Sequence, residues 1–560
     1  IEGSLRQARP DMCQLDLNEA YQFLNETSLL LQQNGFGVLA PPWWTEKRSA
    51  IKANISVSAP KTESSGIISL DSILVYNWQI ALGDETITPE ELERLASLKV
   101  PLVKMRGQWV LLRPEDIKSA VEFLKKHNES QEISFRDIMK LSLSDTPDIE
   151  GIRVEKIESP QWLNLLIADL KAGSMKQLKQ PKDMTGKLRP YQLSGLSWLA
   201  FMRQWGFGAC LADDMGLGKT IEMIALLLHE KKQRKGKSVP NLLICPTSVV
   251  GNWQREIARF APSLKAMLHH GGERASGEEF AKSVMDNDLV ITSYGLARRD
   301  VEDITAVDWK NVILDEAQNI KNPSSKIAQV VRSLKSECRF TLTGTPVENR
   351  LMELWSIIEF LNPGYLGSQS KFNQRYVVPI EHYNDERSTK ELRSLVAPFV
   401  MRRLKTDPKI INDLPEKMEM KVYCNLTREQ VTLYEATVKD VIEQIEEKSG
   451  IERRGMILSG LMKLKQLCNH PALFLHDKSE IDGRSGKVQR LVEMLEEVIS
   501  EGDKSLVFTQ FAEMGEALQE YLSSKFRSDV LYLHGGVPQK KRDRMVSLFQ
   551  EDSTGTVYRE

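Results

Sequence analysis

The sequence predicts an α/β protein in which parallel sheets carry helices on both faces, preceded by a mixed α+β domain. Three observations predict it. From Leu188 onward, short apolar runs at 208–212, 241–245, 289–292, 311–314 and 339–342 alternate with amphipathic segments, the pattern of buried parallel strands joined by crossover helices. A second alternation begins near Gly486, with helices expected at 488–499, 513–523 and 539–549 around strands at 505–508 and 530–533. The first 150 residues instead mix short helices and strands. A length of 560 residues suits about three to five domains. With 41% hydrophobic and 27% charged residues, the chain is neither collagenous, nor disordered, nor a small disulfide scaffold.

In chain order, residues 17–33 set Leu17, Ala20, Tyr21, Leu24, Leu29 and Leu31 at loosely helical spacing. Thr88-Pro89-Glu90-Glu91 opens a helix, with Thr88 as N-cap, Pro89 in the first turn and Glu91 reaching back. Strands are expected at 66–80 and 108–112. Residues 127–160, richer in Ser, Asp and Glu, read as a connection after a domain at 1–150, and 151–184 as a linker that includes a helix near 161–170. The first α/β lobe then occupies 185–362. Residues 363–475 revert to helix and loop. There Thr427-Arg428-Glu429-Gln430 forms a second capping box ahead of Val431, Tyr434, Val438, Val441 and Ile445 on one helical face. The second α/β stretch fills 476–560.

Charge and cysteine usage narrow the function. Lys and Arg number 75 against 77 Asp and Glu, a formal charge of −2, so any polyanion site must be a local patch. Six scattered cysteines without a C-x-x-C pair predict a reduced, intracellular, metal-free chain. No apolar run approaches the roughly 18 residues of a membrane span, and no signal-peptide pattern opens the chain. Because it begins at Ile1, it is expected to be a fragment.

The predicted strand at 208–212 runs into Asp213-Asp214-Met215-Gly216-Leu217-Gly218-Lys219-Thr220 and then a helix. Strand, glycine turn and helix start make a phosphate loop: backbone N–H groups face the phosphates, Lys219 neutralises them, and Thr220 offers its hydroxyl to Mg²⁺. The first position of the usual pattern is Asp213 rather than Gly. The plainer alternative is a glycine turn whose lysine is merely solvated.

The strand at 311–314 ends in Asp315-Glu316-Ala317-Gln318. Asp315 suits a hard-oxygen role toward Mg²⁺, and Glu316 could orient or deprotonate an attacking water. Alone, such a pair is a solvated loop start. Beside Lys219, on what should be a neighbouring strand, both belong to one carboxyl edge, where open α/β sheets bind ligands. A third strand ends in Thr341-Leu342-Thr343-Gly344-Thr345-Pro346, which by itself also reads as a hydroxyl-stabilised turn.

Together these residues resemble the superfamily-two helicase-like motors, specifically the Swi/Snf family of DNA-dependent ATPases. The matching segments keep the family's order: Leu188–Gln192, Asp213–Thr220, Cys245–Trp253, Asp315–Gln318, Leu342–Pro346 with Glu348-Asn349, and Pro398–Arg403. Leu467–Pro471, Phe508–Phe511 and Leu533–Gly536 complete the series, so the resemblance covers about 185–550. Pro41-Pro42-Trp43-Trp44 and the segment after it resemble the helicase-associated domain that precedes this motor in bacterial members.

The resemblance implies two RecA-like lobes, the first at 185–362 and the second at 476–560, with helical insertions and an inter-lobe linker at 363–475. It assigns Gln192, Gly216, Gly218, Lys219 and Thr220 to ATP, Thr220 and Asp315 to Mg²⁺, and Lys219, Asp315 and Glu316 to hydrolysis. Thr343 and Thr345 would couple the nucleotide state to DNA grip. Thr247, Ser293 and Tyr294 in the first lobe, and Thr509, Gln510, His534 and Gly535 in the second, would face the tracked strand's phosphates. Family members move along double-stranded DNA without separating it, through backbone contacts that need not read bases. The implied partners are double-stranded DNA and DNA-bound proteins or RNA polymerase. The protein would be monomeric, free of membranes, and cytoplasmic on a bacterial nucleoid or nuclear in a eukaryote. The family continues with a glycine-rich motif and a Q-x-x-x-R-x-x-R-type motif carrying arginine fingers, which this chain lacks. A finger contributes about 10³–10⁵ in rate, so weak ATP and DNA binding and slow hydrolysis are expected of this polypeptide alone. The competing readings are a strand-separating helicase and a nucleotide-dependent interaction module on a transcription or repair complex.

Other features read as structural. Ser485-Gly486-Lys487 is a helix start, and the basic run from Glu230 to Lys237 is a solvated helix end. Met401–Lys409, with Arg402, Arg403 and Lys405, is either structural or DNA-facing, and His269-His270 is a surface pair. The Trp43-Trp44 pair is a buried or wedge feature, or else stacks on a base.

Overall fold

The computed structural model describes residues 12–559 except 41–50, 59–71, 83–84, 98–101, 106–107, 112–113, 127–130, 145–146, 150–151, 173–174, 234–238, 273, 345–349, 409, 411–417, 447–449, 478 and 552–557. Two compact units contain them, Ile1–Asp413 and Leu414–Glu560. The helix-rich stretch 363–475 is therefore divided between the two. Trp43-Trp44, Thr345, Glu348-Asn349 and Lys409 lie outside the described residues.

The first unit opens with helix over residues 17–33, interrupted by a wide π turn at Phe23–Thr27. A mixed sheet follows, in the order Glu85–Ile87, Ile73–Leu82, Ile51–Ser58, Ile152–Glu158, Asp148–Ile149, with Gln131–Ser134 also pairing to Ile73–Leu82. The Thr88 capping box is present in both directions, Glu91 N–H to Thr88 Oγ1 at 3.2 Å and Thr88 N–H to Glu91 Oε2 at 3.0 Å.

The connection expected at 127–160 is instead part of this fold. Gln131–Ser134 pairs antiparallel with Ile73–Leu82, and Ile152–Glu158 pairs parallel with Ile51–Ser58. Between them, helix Phe135–Leu143 buries Phe135, Ile138, Met139, Leu141 and Leu143. The polar composition is real but one-sided. Ile152 and Val154 point inward while Arg153 and Glu155 stay exposed, and Ser134 caps the helix by accepting from Asp137 N–H at 3.2 Å. Strands of four residues are too short for their period to stand out. Residues 151–184 likewise hold that strand and helix Gln161–Ala172.

The second layer is a seven-stranded, wholly parallel sheet in the order Ala266–Leu268, Leu289–Ser293, Asn241–Cys245, Trp309–Asp315, Ser336–Leu342, Ala209–Leu211, Val400–Met401. All five strands predicted for this lobe are present. Asn241–Cys245, Leu289–Ser293 and Ala209–Leu211 are buried at every residue, as a sheet covered on both faces requires. Helices Pro190–Gln204 and Lys219–Gln233 also bury most of their length.

One apolar core runs through the helices of the N-terminal domain and this sheet. Leu163, Leu166 and Phe135 belong to the same buried cluster as Leu211, Ile244 and Ile313. The seam is aromatic: Phe135 stacks on Phe207 and Trp162 on Trp205, each pair with ring centroids 6.0 Å apart. A separate small core with Ile51, Ile80, Leu92 and Phe123 lies elsewhere in the N-terminal domain.

The second unit packs helices Arg428–Glu446 and Gly450–Asn469 together, then builds a three-stranded parallel sheet of Leu506–Val507, Tyr558–Arg559 and Leu531–Tyr532. Leu473, Val492, Leu518 and Leu522 are among its buried core residues. The Thr427 box forms, with Gln430 N–H donating to Thr427 Oγ1 at 3.2 Å and Thr427 N–H to Gln430 Oε1 at 3.1 Å. Ser485 caps helix Gly486–Ser500, the helix start read from the sequence. Among the described residues no helix is long and apolar enough to cross a membrane.

Because Phe135 is fully buried at the seam, Phe135→Ala should lower the stability of the first unit by about 3–5 kcal/mol, read as a shifted denaturant midpoint. An N-terminal domain that docked only loosely would leave that midpoint unchanged.

Candidate active site

The site begins where the Ala209–Leu211 strand meets helix Lys219–Gln233. The intervening turn takes its shape from Gly216 and Gly218, at φ +83° and +90°, backbone that favours glycine. Gly218 has a second reason: a Cβ there would lie 2.4 Å from Gln192 Nε2. Gln192 is buried, accepts from Arg189 N–H at 2.9 Å, and donates to Leu217 O at 3.1 Å. It thus ties the start of helix Pro190–Gln204 to the phosphate loop. Tyr191 adds a hydroxyl bond to the same carbonyl, at 2.9 Å. The Lys219 ammonium lies inside the turn, 2.7 Å from Asp213 O and 3.4 Å from Asp214 O, and Thr220 follows it in the first turn of the helix.

Asp213, the residue in place of glycine, is wholly buried. Its carboxylate receives the Arg403 backbone N–H at 2.9 Å and Arg403 Nε at 3.0 Å, together with a contact from Nη2. The same Nη2 donates to both oxygens of buried Glu222, at 2.7 and 2.8 Å, and Nη1 bonds to Tyr191 O. Burial pushes the Glu222 carboxyl up to about 8, against the opposing pull of Arg403. Arg403, which the sequence left between two roles, is structural. The signal was the unexplained Asp213: an acid in a buried glycine turn needs a cation, and nothing local supplied one.

The carboxylate pair is not on the strand next to the phosphate loop, as the sequence suggested. Ser336–Leu342 lies between Trp309–Asp315 and Ala209–Leu211. The three strands nevertheless end at one edge, so the third motif bridges the other two. Thr343 N–H donates to Leu211 O at 3.0 Å, and Thr343 Oγ1 lies 3.0 Å from Gln318 Oε1. Gln318 Nε2 in turn donates to Glu316 Oε2 at 2.9 Å. Glu316 adopts left-handed backbone, φ 51° and ψ 60°, a strained conformation for a non-glycine residue and one that clusters at functional sites.

Asp315 accepts from Trp253 Nε1 at 2.7 Å and from Glu316 N–H at 2.9 Å. Burial raises its carboxyl above the ordinary carboxylate range. The Trp253 bond and the Lys219 charge pull it back, while Glu316 adds to the rise. An electrostatic effect of Lys219 on Asp315 puts the two predicted motifs in one field. The hard oxygens of Asp315 and Thr220 are a donor set that suits Mg²⁺.

Of the residues expected to face nucleic acid, Thr247 and Ser293 line a groove of about 650 Å³ with Gly271, Gly272, Arg298 and Arg299. Thr247, Arg298 and Arg299 are exposed. The arginine pair was not singled out in the sequence, although it follows Ser293 by five and six residues on the helix that Ser293 caps. Tyr294 differs from expectation: its side chain is buried, and its hydroxyl donates to Asp315 O at 2.8 Å. His269 also departs from the surface pair. It is buried on Phe280, with Nε2 3.0 Å from Asp300 Oδ2, while only His270 is exposed. The partner stands 31 residues away, beyond any local spacing rule. Glu230 is not solvated either, since it bonds Arg203 at 3.0 Å and Asn311 at 2.6 Å in the interior.

In the second unit, Gln510, His534 and Gly535 are exposed and Thr509 is half-buried. Thr509, Gln510 and exposed Phe508 border a cleft of about 640 Å³ with Lys465 and Lys487. His534 stacks on Tyr532 with centroids 4.9 Å apart, and its carbonyl accepts from Arg542 at 2.6 Å.

Two outcomes follow from these contacts. Arg403→Ala would leave Asp213 and Glu222 buried without their cation and should cost about 3–5 kcal/mol of first-unit stability, measured by chemical denaturation. Trp253→Phe removes a bond that lowers the Asp315 pKa, so Asp315 should protonate at higher pH. The acid limb of Mg²⁺-dependent nucleotide binding should move to higher pH, and an unmoved limb would show that Asp315 does not set it.

Comparison with known proteins places the chain among its relatives. The SNF2-related domain family matches residues 191–473, the family described as SNF2 Helicase protein matches 8–143, and the Helicase conserved C-terminal domain matches 486–557. "Putative ATP-dependent helicase/translocase YwqA" of Bacillus subtilis is 40% identical over 555 residues, covering 96% of this chain and 60% of that protein. TATA-binding protein-associated factor MOT1 of Saccharomyces cerevisiae is 32% identical over 490 residues, covering 75% of this chain and 26% of its own. The Sulfolobus solfataricus SWI2/SNF2 ATPase core in complex with dsDNA is 44% identical, covering 69% of this chain and 80% of that one, with a TM-score of 0.42. The chain therefore spans 60% of the length of the Bacillus relative and about a quarter of the yeast one. With the SNF2-related domain matched across more than half of its residues, the chain belongs to the SNF2-related family of helicase-like ATPases.

Proposed function

We propose that the protein is an ATP-dependent translocase on double-stranded DNA that displaces or remodels protein–DNA complexes. The observation that carries this reading is the meeting of Lys219, Asp315-Glu316 and Thr343 at one sheet edge, next to a groove lined by Thr247, Ser293, Arg298 and Arg299. In it, the glycine turn and Lys219 hold the ATP phosphates. Gln192 would contact adenine from the start of helix Pro190–Gln204. Thr220 and Asp315 would hold Mg²⁺, which when bound would neutralise phosphate charge. Glu316 orients and deprotonates the attacking water, and the Gln318–Thr343 bond couples the state of Glu316 to Thr343, a coupling role assigned to Thr345 as well. Tyr294, bonded to the Asp315 carbonyl and adjacent to Ser293, links hydrolysis to the groove that grips the DNA backbone. Thr509, Gln510, His534 and Gly535 serve the same strand from the second unit.

The domain scheme proposed with this function extends the associated domain past residue 150, since Ile152–Glu158 pairs in its sheet, and keeps 185–362 as the first RecA-like lobe, 363–475 as insertions and 476–560 as the second. DNA-bound proteins are the favoured obstacle, since one relative is named a TATA-binding protein-associated factor. RNA polymerase on the nucleoid is a candidate partner of the same kind, and the working form is a monomer in the cytoplasm.

ATP turnover with and without duplex DNA tests the reading. Duplex should stimulate it. Lys219→Ala should abolish nucleotide binding, and Glu316→Gln should keep binding but lose about 10²–10⁴ in rate. DNA affinity should fall with salt at a log–log slope of about −0.9 per phosphate neutralised. Displacement of a triplex strand without duplex unwinding would fit a translocase. Unwinding would assign a strand-separating helicase, and activity indifferent to Lys219→Ala an interaction module.

A further inference from the structure

The segment after the seventh strand follows the phosphate loop residue for residue. Val400 and Met401 pair with Cys210 and Leu211. Ala212 N–H then donates to Met401 O at 2.7 Å, and Asp214 N–H to Arg403 O at 3.1 Å. Asp214 Oδ2 accepts from Lys405 N–H at 3.0 Å. This register, locked by the buried Arg403, sets where Lys405 emerges. Its ammonium stands 3.0 Å from the point a Cβ on Gly216 would occupy, so it overlies the outer turn of the loop while Lys219 lies inside. Lys405 is exposed, and among the described residues its ammonium has no hydrogen-bond or ion-pair partner.

We propose that Lys405 is a second phosphate-binding cation, contacting the polyphosphate of the bound nucleotide across Gly216. A lysine suits the position because its ammonium is a compact point charge on a flexible stem, able to reach an oxygen from a solvent-facing turn. Two cations on opposite sides of the glycine turn would share the triphosphate charge. Glycine is favoured at 216 by its backbone, φ +83°, and a Cβ there would crowd the ammonium. The segment carrying Lys405 is the return from the helical stretch after residue 363, so that stretch would help set nucleotide affinity. The inference rests on the ATP-binding reading above.

The test is calorimetric titration of the 560-residue chain with Mg·ATP in the absence of DNA, using Lys405→Met, Lys405→Arg and Lys219→Ala. Lys405→Met should weaken binding about 10-fold, and Lys405→Arg should stay within about threefold of the wild type. The melting temperature and the nucleotide-free affinity for duplex DNA should not change. Lys405→Met binding Mg·ATP as tightly as the wild type, or losing affinity for DNA instead, would overturn the proposal while leaving the ATPase reading standing if Lys219→Ala still abolishes binding. A wild type and Lys219→Ala that both fail to bind Mg·ATP would remove both.

Discussion

A single guanidinium holds together the carboxyl edge of the parallel sheet in the first unit. Arg403 lies buried between Asp213 and Glu222, two carboxylates with no solvent exposure. Burying a guanidinium among carboxyl groups costs several kcal/mol per ion, a cost visible in the Glu222 carboxyl being pushed up to about 8, and good geometry must return it. Here every Arg403 nitrogen is used, and the backbone N–H of Arg403 joins in. Such a cluster adds little net stability over an apolar one, but it permits one arrangement only. The phosphate loop, helix Lys219–Gln233, helix Pro190–Gln204 and the seventh strand all contribute to it, so none can shift independently.

That rigidity gives the rest of the site its geometry. With the loop fixed on one strand, Thr343 on the next and Asp315-Glu316 on the third stand at the same carboxyl edge. The intermediate position of Thr343 matters more than direct adjacency would. It bonds to the phosphate-loop strand through its N–H and to Gln318 through its hydroxyl, so a change at either carboxylate or phosphate meets the same residue. At this strand end burial raises the Asp315 pKa and the Trp253 bond opposes the rise, while Gln318 donates to the Glu316 carboxylate. Tyr294 braces the same strand end through its hydroxyl bond to the Asp315 carbonyl.

The N-terminal domain is part of this scaffold rather than an appendage. Its helices share a core with the sheet, and the aromatic stacks at the seam pair Phe135 and Trp162 with Phe207 and Trp205, immediately ahead of the phosphate-loop strand. A load on the N-terminal domain would reach residues 205–211 through packed rings with little compliance.

The sequence by itself determined the elements and the chemistry. The five central strands, the capping boxes at Thr88 and Thr427, the glycine turn, the Asp-Glu pair and the Thr343 strand were all legible, because each is written within a few consecutive residues by burial, φ preference or hydrogen-bonding type. Tertiary structure alone decided what depends on distant partners. The strand order inserting Ser336–Leu342 between the two main motifs, the pairing of Asp213 with Arg403 at a separation of 190 residues, and the burial of His269 and Tyr294 leave no local periodicity. The 127–160 stretch sits between these cases: its strands are short and its polar residues face water, so composition concealed an order that only pairing with Ile51–Ser58 and Ile73–Leu82 creates. Local conformation is set by neighbours in the chain, whereas a buried charge is set by whichever residue the fold delivers to meet it.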